Sequence, residues 1–122
     1  MANPNEIVND YNAAFAKKDL SKVRSLLHDK FTFKGPLMQF KSPDEFMGMM
    51  QQCGFECRLE NLQMVSEGER VVQIFDWICT APFQANLRMS ECLTIKDGKI
   101  FASELFYDSA KFPKEAMESM SA

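Results

Sequence analysis

Two apolar runs separated by a short proline turn decide the fold: residues 71–80 read VVQIFDWICT, and residues 87–95 read LRMSECLTI. Both runs are rich in β-branched and aromatic residues, which is typical of β-strands, and residues 82–85 form the turn between them. With a four-residue loop, the two strands pair so that Asp76 lies opposite Glu91 on one face of the sheet. The pattern therefore predicts two carboxyl groups in an otherwise apolar wall.

Both carboxyl groups cannot be ionised in such a wall without cost. Burial and like-charge repulsion each raise the pKa of a carboxyl group, so we expect Asp76 and Glu91 to hold or share a proton. The prediction depends on the turn, since a loop of three or five residues would point one of the two carboxyl groups to solvent. The sequence leaves both arrangements open.

The rest of the chain predicts helices first and then strands. Capping signals begin three helices, at residues 3–6 (NPNE), at Asp19 or Ser21, and at residues 42–45 (SPDE), and the third helix ends at Gly54. Alternating apolar residues predict strands over residues 31–34, 55–65, 70–81, 86–96 and 99–108. This order predicts one α+β domain over residues 1–122, with three N-terminal helices packed on a curved antiparallel sheet.

Composition excludes several classes of partner. The chain has 122 residues, 46% of them hydrophobic, and a formal net charge of -3 with dispersed lysines and arginines, which argues against a nucleic-acid surface. The N-terminus has neither the basic nor the apolar segment of a secretory leader, and no apolar run is long enough to span a membrane. We therefore expect a cytoplasmic protein that does not associate with membranes.

Cysteine and histidine usage argues against disulfides and metals. Without an export signal, we expect Cys53, Cys57, Cys79 and Cys92 to be free thiols. His28 is the only histidine, so the chain offers few ligands for zinc. We expect neither a metal site nor a cofactor.

The element order and several short motifs resemble the nuclear transport factor 2-like superfamily, and its SnoaL-like branch in particular. The motifs are IVNDY at residues 7–11, DL at 19–20, FTFKGP at 31–36, DGKI at 97–100 and FYD at 106–108. The resemblance implies a cone-shaped domain with a central small-molecule pocket on its concave side. It also implies that the convex face of the sheet pairs two subunits. Because this superfamily hosts many reactions as well as non-catalytic binders, fold alone does not assign an activity.

Comparison with ketosteroid isomerases implies roles for two residues. Tyr11 matches the oxyanion-hole tyrosine, and Glu91 matches the oxyanion-hole aspartic acid, which an apolar site keeps protonated. The general base of those enzymes matches Gly35, which has no side chain. That mechanism therefore does not carry over as it stands.

Comparison with limonene epoxide hydrolases implies a role for Asp76, which matches one catalytic aspartate. The accompanying arginine matches Ile74, however, and the second aspartate matches Leu105. Two parts of that catalytic group are therefore missing.

The face of the last strand depends on the turn before it. A two-residue turn at Asp97-Gly98 would point Glu104 and Phe106 inward, whereas a three-residue loop with a glycine bulge would point Phe101, Ser103, Leu105 and Tyr107 inward. The resemblance favours the second arrangement. The predicted site then comprises Tyr11, Asp76 and Glu91 as catalytic groups, and Phe33, Met50, Ile78, Met89, Ser103, Leu105 and Tyr107 as ligand-binding groups.

The same register assigns large apolar side chains to the outer face of the sheet. Phe75, Trp77 and Phe106 would lie there beside Cys79, and such a patch is typical of an interface. We therefore predict a homodimer that forms through the convex face. Alternatively, Trp77 and Phe75 are buried under a C-terminal segment within residues 110–120.

Two functional interpretations follow. In the first, the domain binds a small hydrophobic or polyketide-like molecule and acts as an isomerase, cyclase or hydrolase, with Asp76 and Glu91 as an acid/base pair and Tyr11 as hydrogen-bond donor. In the second, it is a non-catalytic ligand-binding or dimerisation module in which the carboxyl groups bond to Tyr11 and buried water.

Overall fold

The computed structural model describes residues 3–115. In chain order the elements are α1 (Pro4–Ala16), α2 (Leu20–Leu26), β1 (Leu27–Lys34), β2 (Gln39–Phe40), α3 (Pro43–Cys53), β3 (Glu56–Glu67), β4 (Arg70–Ala81), β5 (Ala85–Lys96) and β6 (Lys99–Phe106), followed by a short 3-10 helix (Ser109–Lys111). The predicted α+β fold, with three helices placed before a run of long strands, is confirmed. None of the helices in residues 3–115 is long and apolar enough to cross a membrane.

Helices α1 and α3 begin where the sequence provides capping side chains. The side chain of Asn3 accepts a hydrogen bond from the backbone N–H of Glu6 at 2.9 Å, and that of Ser42 accepts one from the backbone N–H of Glu45 at 3.2 Å. Each cap is followed by a proline, which has no N–H to lose at that position. Helix α3 ends at Gly54, whose φ of 57° lies in the left-handed region that favours glycine.

The six strands form one open, curled sheet in the order β2-β1-β6-β5-β4-β3. Neighbouring strands are antiparallel except β1 and β6, which run in parallel with Phe33 opposite Ser103. The sheet is therefore mixed, and the prediction of a purely antiparallel sheet is wrong at this pair. The crossover through α3 and the β3 to β6 meander lets the two strands point the same way.

The pairing of β4 with β5 differs from the predicted register. Asp76 lies opposite Arg88, and Glu91 lies opposite Gln73, so the prediction that Asp76 faces Glu91 is wrong. Five residues, 80–84, separate the last paired residues of the two strands, and this odd loop length reverses the face of β4. The loop is longer because Phe83 folds inward, where it is only 5% exposed.

The reversed face of β4 moves a predicted dimer surface into the interior. Phe75 and Cys79 are buried and Trp77 lines the cavity described below, so the prediction that these side chains lie on the outer face is wrong. Trp77 stacks on Phe112, with ring centroids 6.3 Å apart and planes 13° apart. Part of the segment 110–120 therefore covers Trp77, whereas residues 116–120 lie outside the described part of the chain.

The turn between β5 and β6 has two residues, and both have positive φ, 55° at Asp97 and 73° at Gly98. The predicted three-residue loop is therefore wrong. The register instead shifts by one residue further along, between Thr94 and Ile95. Beyond this shift Ser103 is buried on the inner face, as the three-residue loop would have required.

The shift changes the environment of Phe101, which was expected to point inward. Its ring contacts His28 with centroids 5.1 Å apart, and the ammonium group of Lys96 lies 5.0 Å from its centroid. Phe101 therefore packs with polar side chains near the turn.

All four cysteines are free thiols.

Candidate functional site

A cavity of about 510 Å³ lies between α1, α3 and the inner face of the sheet. Its volume falls within the range of roughly 300 to 1,000 Å³ that is usual for small-molecule sites. Half of the lining residues are aromatic or methionine, and they include Phe15, Phe33, Phe46, Phe55, Phe75, Trp77, Met49, Met50 and Met89. Such a wall suits an apolar ligand, since burying apolar surface is its main source of affinity.

The predicted site residues fall into three places. Those that line the cavity are Tyr11, Phe33, Met50, Met89, Glu91, Leu105 and Tyr107. Ser103 lies behind Glu91, to which it is hydrogen bonded. Asp76 and Ile78 lie on the opposite face of β4, and Ile78 lines a smaller pocket that adjoins the cavity.

Glu91 is a buried carboxyl group at the wall of the cavity, with only 7% of its surface exposed. One oxygen accepts a hydrogen bond from Gln73 Nε2 at 2.8 Å, and the other accepts one from Ser103 Oγ at 2.6 Å. Burial raises the pKa of Glu91, and the hydrogen bonds from Ser103 and Gln73 oppose that effect. The protonated form of Glu91 is therefore populated at higher pH than that of an exposed glutamate.

The orientation of Gln73 is determined by Asn12 on α1. Asn12 Nδ2 donates to Gln73 Oε1 at 2.8 Å, and Gln73 Nε2 donates back to Asn12 Oδ1 at 3.2 Å. The amide nitrogen of Gln73 has two N–H donors, so it donates to Glu91 as well as to Asn12. Gln73 has no exposed surface, so this network ties helix α1 to strands β4 and β5 through the interior.

Tyr11 is the second polar group in the wall of the cavity. It is 4% exposed, and its ring packs edge to face on Phe15 with centroids 4.8 Å apart. Burial, and then the charge of Glu91, raise the pKa of Tyr11 well above its usual value. Tyr11 is therefore a neutral hydrogen-bond donor that lies close enough to Glu91 to sense its charge.

Asp76 has the opposite environment on the outer face. Its carboxyl group accepts hydrogen bonds from Asn61 Nδ2 at 2.8 Å and from Arg88 Nη1 at 3.2 Å. The hydrogen bond from Asn61, aided by Arg88, lowers the pKa of Asp76. Asp76 is therefore an ionised group that joins β3, β4 and β5, and it cannot share a proton with Glu91.

Sequence reasoning missed Gln73 and Asn12. Gln73 stands in an apolar run and shares a face with Phe75 and Trp77, so it is the polar exception on that face. The signal was visible, but the assumed register placed Gln73 outside.

Within residues 3–115, no cluster of three or more His, Cys, Asp or Glu side chains is placed to bind a metal ion.

The fold and the cavity define a class of protein, the α+β domains in which a curled sheet encloses a largely apolar cavity. The family model of the SnoaL-like domain matches residues 8–103. The chain belongs to this family, within the nuclear transport factor 2-like superfamily. A comparison with curated proteins found no match.

Solved structures of similar fold cover nearly the whole chain. A nuclear transport factor 2-like protein of unknown function from Burkholderia pseudomallei K96243 is 21% identical, with a TM-score of 0.79 and 100% of both chains covered. A candidate polyketide cyclase from Pseudomonas putida KT2440 is 20% identical, with a TM-score of 0.79 and coverage of 92% of this chain and 96% of that chain. An epoxide hydrolase resembling limonene epoxide hydrolase, from M. tuberculosis, is 16% identical, with a TM-score of 0.77 and coverage of 98% and 92%. At these identities the likeness shows the fold alone.

Proposed function

We propose that the protein binds a small, largely apolar molecule in its cavity and holds one oxygen atom of that molecule with Tyr11 and Glu91. The observation that carries the proposal is a buried carboxyl group and a buried phenol together in the wall of an apolar cavity of about 510 Å³. A mostly apolar pocket with a few convergent polar groups is the usual design of a ligand site. The apolar wall supplies affinity, and the two polar groups orient the ligand.

The hydrogen-bonding capacity of the two groups supports a carbonyl or hydroxyl oxygen on the ligand. Tyr11 stays protonated, because burial and the nearby carboxyl group raise its pKa, so its hydroxyl can donate. Protonated Glu91 can donate as well, whereas ionised Glu91 can only accept. When Glu91 is protonated, both groups can donate hydrogen bonds to a carbonyl oxygen. When Glu91 is ionised, it can accept a hydrogen bond from a hydroxyl group to which Tyr11 donates.

Proton transfer by Glu91 is the second candidate function. It is favoured by the burial that raises the pKa of Glu91 above that of an exposed glutamate, because a carboxyl group with a raised pKa is a better proton donor and acceptor in catalysis. The acid/base pair of Asp76 and Glu91 is replaced in this proposal by Glu91 alone, with Tyr11 as donor to the developing charge. An isomerase, cyclase or hydrolase reaction on an apolar substrate would fit this arrangement.

The proposal is tested with a neutral fluorescent probe, N-phenyl-1-naphthylamine, whose emission rises on transfer to an apolar site. We expect wild-type protein to bind it and Met50→Trp, which fills the cavity from α3, to lose at least about tenfold in affinity. Lys22→Trp is the matched control, because Lys22 is exposed on α2 and does not line the cavity. Equal affinity in all three proteins would show that the probe binds elsewhere and would contradict the proposal.

We also propose that two copies of the chain pair through the outer face of the sheet, with Phe106 kept from the first prediction and Phe75 and Trp77 replaced by other residues. The exposed apolar side chains there are Val65 (69%), Val72 (38%) and Phe106 (51%). Val65 lies opposite Val72, and Ile74 lies opposite Ser90, which in turn lies opposite Phe106. These apolar residues therefore form a strip that crosses β5 at the small side chain of Ser90.

Charged side chains flank this apolar strip with both signs. The Asp76 and Arg88 pair lies on one side of it, and Arg70 lies on the other. A two-fold axis through the strip would set Arg70 of one copy towards the Asp76 side of the other, which supports self-association.

A further inference from the structure

Two cations stand at the opening of the cavity. Lys18, just after α1, and Arg58, on β3, line both the main cavity and an adjoining pocket of about 280 Å³. Their side chains are 50% and 56% exposed, respectively, whereas Tyr11 and Glu91 are buried. The two cations therefore lie where the cavity meets solvent, and Tyr11 and Glu91 lie deep inside.

Each cation already has one carboxylate partner. Lys18 Nζ lies 2.8 Å from Glu56 Oε1, and Arg58 Nε lies 2.6 Å from Glu60 Oε2. These partners leave donors unused, because an ammonium group has three N–H donors and a guanidinium group has five. Exposed ion pairs are weak and screened by salt, so they do not prevent either cation from binding a further anion.

The charges around the cavity differ in sign from those of the whole chain. The chain has a net charge of -3, yet the charged side chains that line the main cavity are Lys18, Arg58 and Glu91. Burial favours the neutral form of Glu91, and the charge of Glu56 in the adjoining pocket is matched by Lys18. Glu60 likewise pairs with Arg58, but neither Glu56 nor Glu60 lines the main cavity, so a ligand there meets the two cations and not their carboxylate partners.

We propose that the ligand is an amphipathic organic acid, with an apolar body inside the cavity and a carboxylate head between Lys18 and Arg58 at the opening. The inference rests on the proposed function, because it specifies the ligand of the same cavity. The planar guanidinium of Arg58 suits a carboxylate, and Lys18 adds a point charge beside it.

Two probes with the same aromatic body test this inference: N-phenyl-1-naphthylamine, which is neutral, and 8-anilinonaphthalene-1-sulfonate, which adds an anionic group. We expect Lys18→Gln/Arg58→Gln to weaken binding of the anionic probe by about tenfold and to change binding of the neutral probe by less than about twofold. Lys22→Gln/Arg24→Gln is the matched control, because it removes the same two charges from α2. We expect the control to bind both probes as wild type does.

The outcomes separate this inference from the proposed function. Unchanged binding of the anionic probe by Lys18→Gln/Arg58→Gln, or equal loss of both probes, would overturn the carboxylate head and leave the cavity as a site for neutral molecules. Failure of the neutral probe to bind wild-type protein, or undiminished binding to Met50→Trp, would overturn the proposed function and this inference with it. Weakening of the anionic probe by the α2 control to the same degree would show a general charge effect and would also overturn the inference.

Discussion

Replacing Glu91 with glutamine removes a titrating group from the interior and keeps its shape. The new amide oxygen can accept from Gln73 Nε2, and the new amide nitrogen can donate to the Ser103 hydroxyl, so both hydrogen bonds of Glu91 have a replacement. We therefore expect Glu91→Gln to fold normally. Its stability should differ from that of wild type chiefly through the loss of the ionisation of Glu91.

The sign of the effect follows from the raised pKa of Glu91 in the folded protein. The folded state binds the proton more tightly than the unfolded state, so wild type loses stability as pH rises from the unfolded pKa through the folded pKa. The loss is about 1.4 kcal/mol for each pKa unit between the two values, or about 6 °C in Tm for a domain of this size. Glu91→Gln escapes this loss, so it should be more stable than wild type at neutral pH and similar to it in acid.

Denaturant melts of wild type and Glu91→Gln from about pH 4 to about pH 8 measure this difference. Asp76→Asn is the matched control, because the pKa of Asp76 is lowered in the folded state. Ionised Asp76 stabilises the fold above its unfolded pKa, and that stability is lost as pH falls, so Asp76→Asn should destabilise at neutral pH and have less effect in acid. A Glu91→Gln protein whose stability matches wild type at every pH would mean that Glu91 is solvated, and would refute the reasoning.

Two further variants test the internal network and the outer face. Gln73→Leu should destabilise the protein by about 1 to 3 kcal/mol in denaturant melts, because it leaves buried polar groups of Asn12 and Glu91 without their partner, and unchanged stability would contradict the network. Phe106→Lys should convert a homodimer to monomers in sedimentation analysis, whereas Leu62→Lys, also exposed but on the side of β3 that lines the cavity, should not. A monomeric wild type or a dimeric Phe106→Lys would contradict the proposed pairing.

The positions of the helices could be predicted from short-range sequence signals. The caps at Asn3 and Ser42 and the glycine at position 54 act within a few residues of sequence, so helix positions could be predicted without knowledge of tertiary contacts. The mixed character of the sheet could not be predicted in this way, because the parallel pairing of β1 with β6 joins residues that are far apart in the chain.

The sheet face of a site residue could be predicted correctly only where apolar and polar residues alternate clearly along its strand. On β5 the inward residues Leu87, Met89, Leu93 and Ile95 alternate with polar or small ones, so the same face could be assigned to Glu91 from the sequence. On β4 the outer residues Val72, Ile74 and Ile78 are as apolar as the inner ones. The sequence of β4 therefore does not show which of its two faces points inward, and the length of the turn decides it.

The turn length itself depended on a tertiary contact. Phe83 is buried among Phe55, Trp77 and Phe112, with ring centroids about 6 Å apart, and this packing draws the turn inward. No rule of turn chemistry encodes such a contact, so the face of Asp76 could not be derived from the sequence. The catalytic and binding roles given to the cavity residues stay predictions.

The most direct test of the account is a crystal structure of the protein with 2-naphthol, a small aromatic molecule with one hydroxyl group. The account predicts that the ring system lies in the cavity beside Trp77 and Met89, with its oxygen within hydrogen-bond distance of Tyr11 and Glu91. Naphthol bound only at the protein surface, or bound in the cavity with its oxygen directed away from both groups, would contradict the claim that this cavity is a ligand site organised by Tyr11 and Glu91.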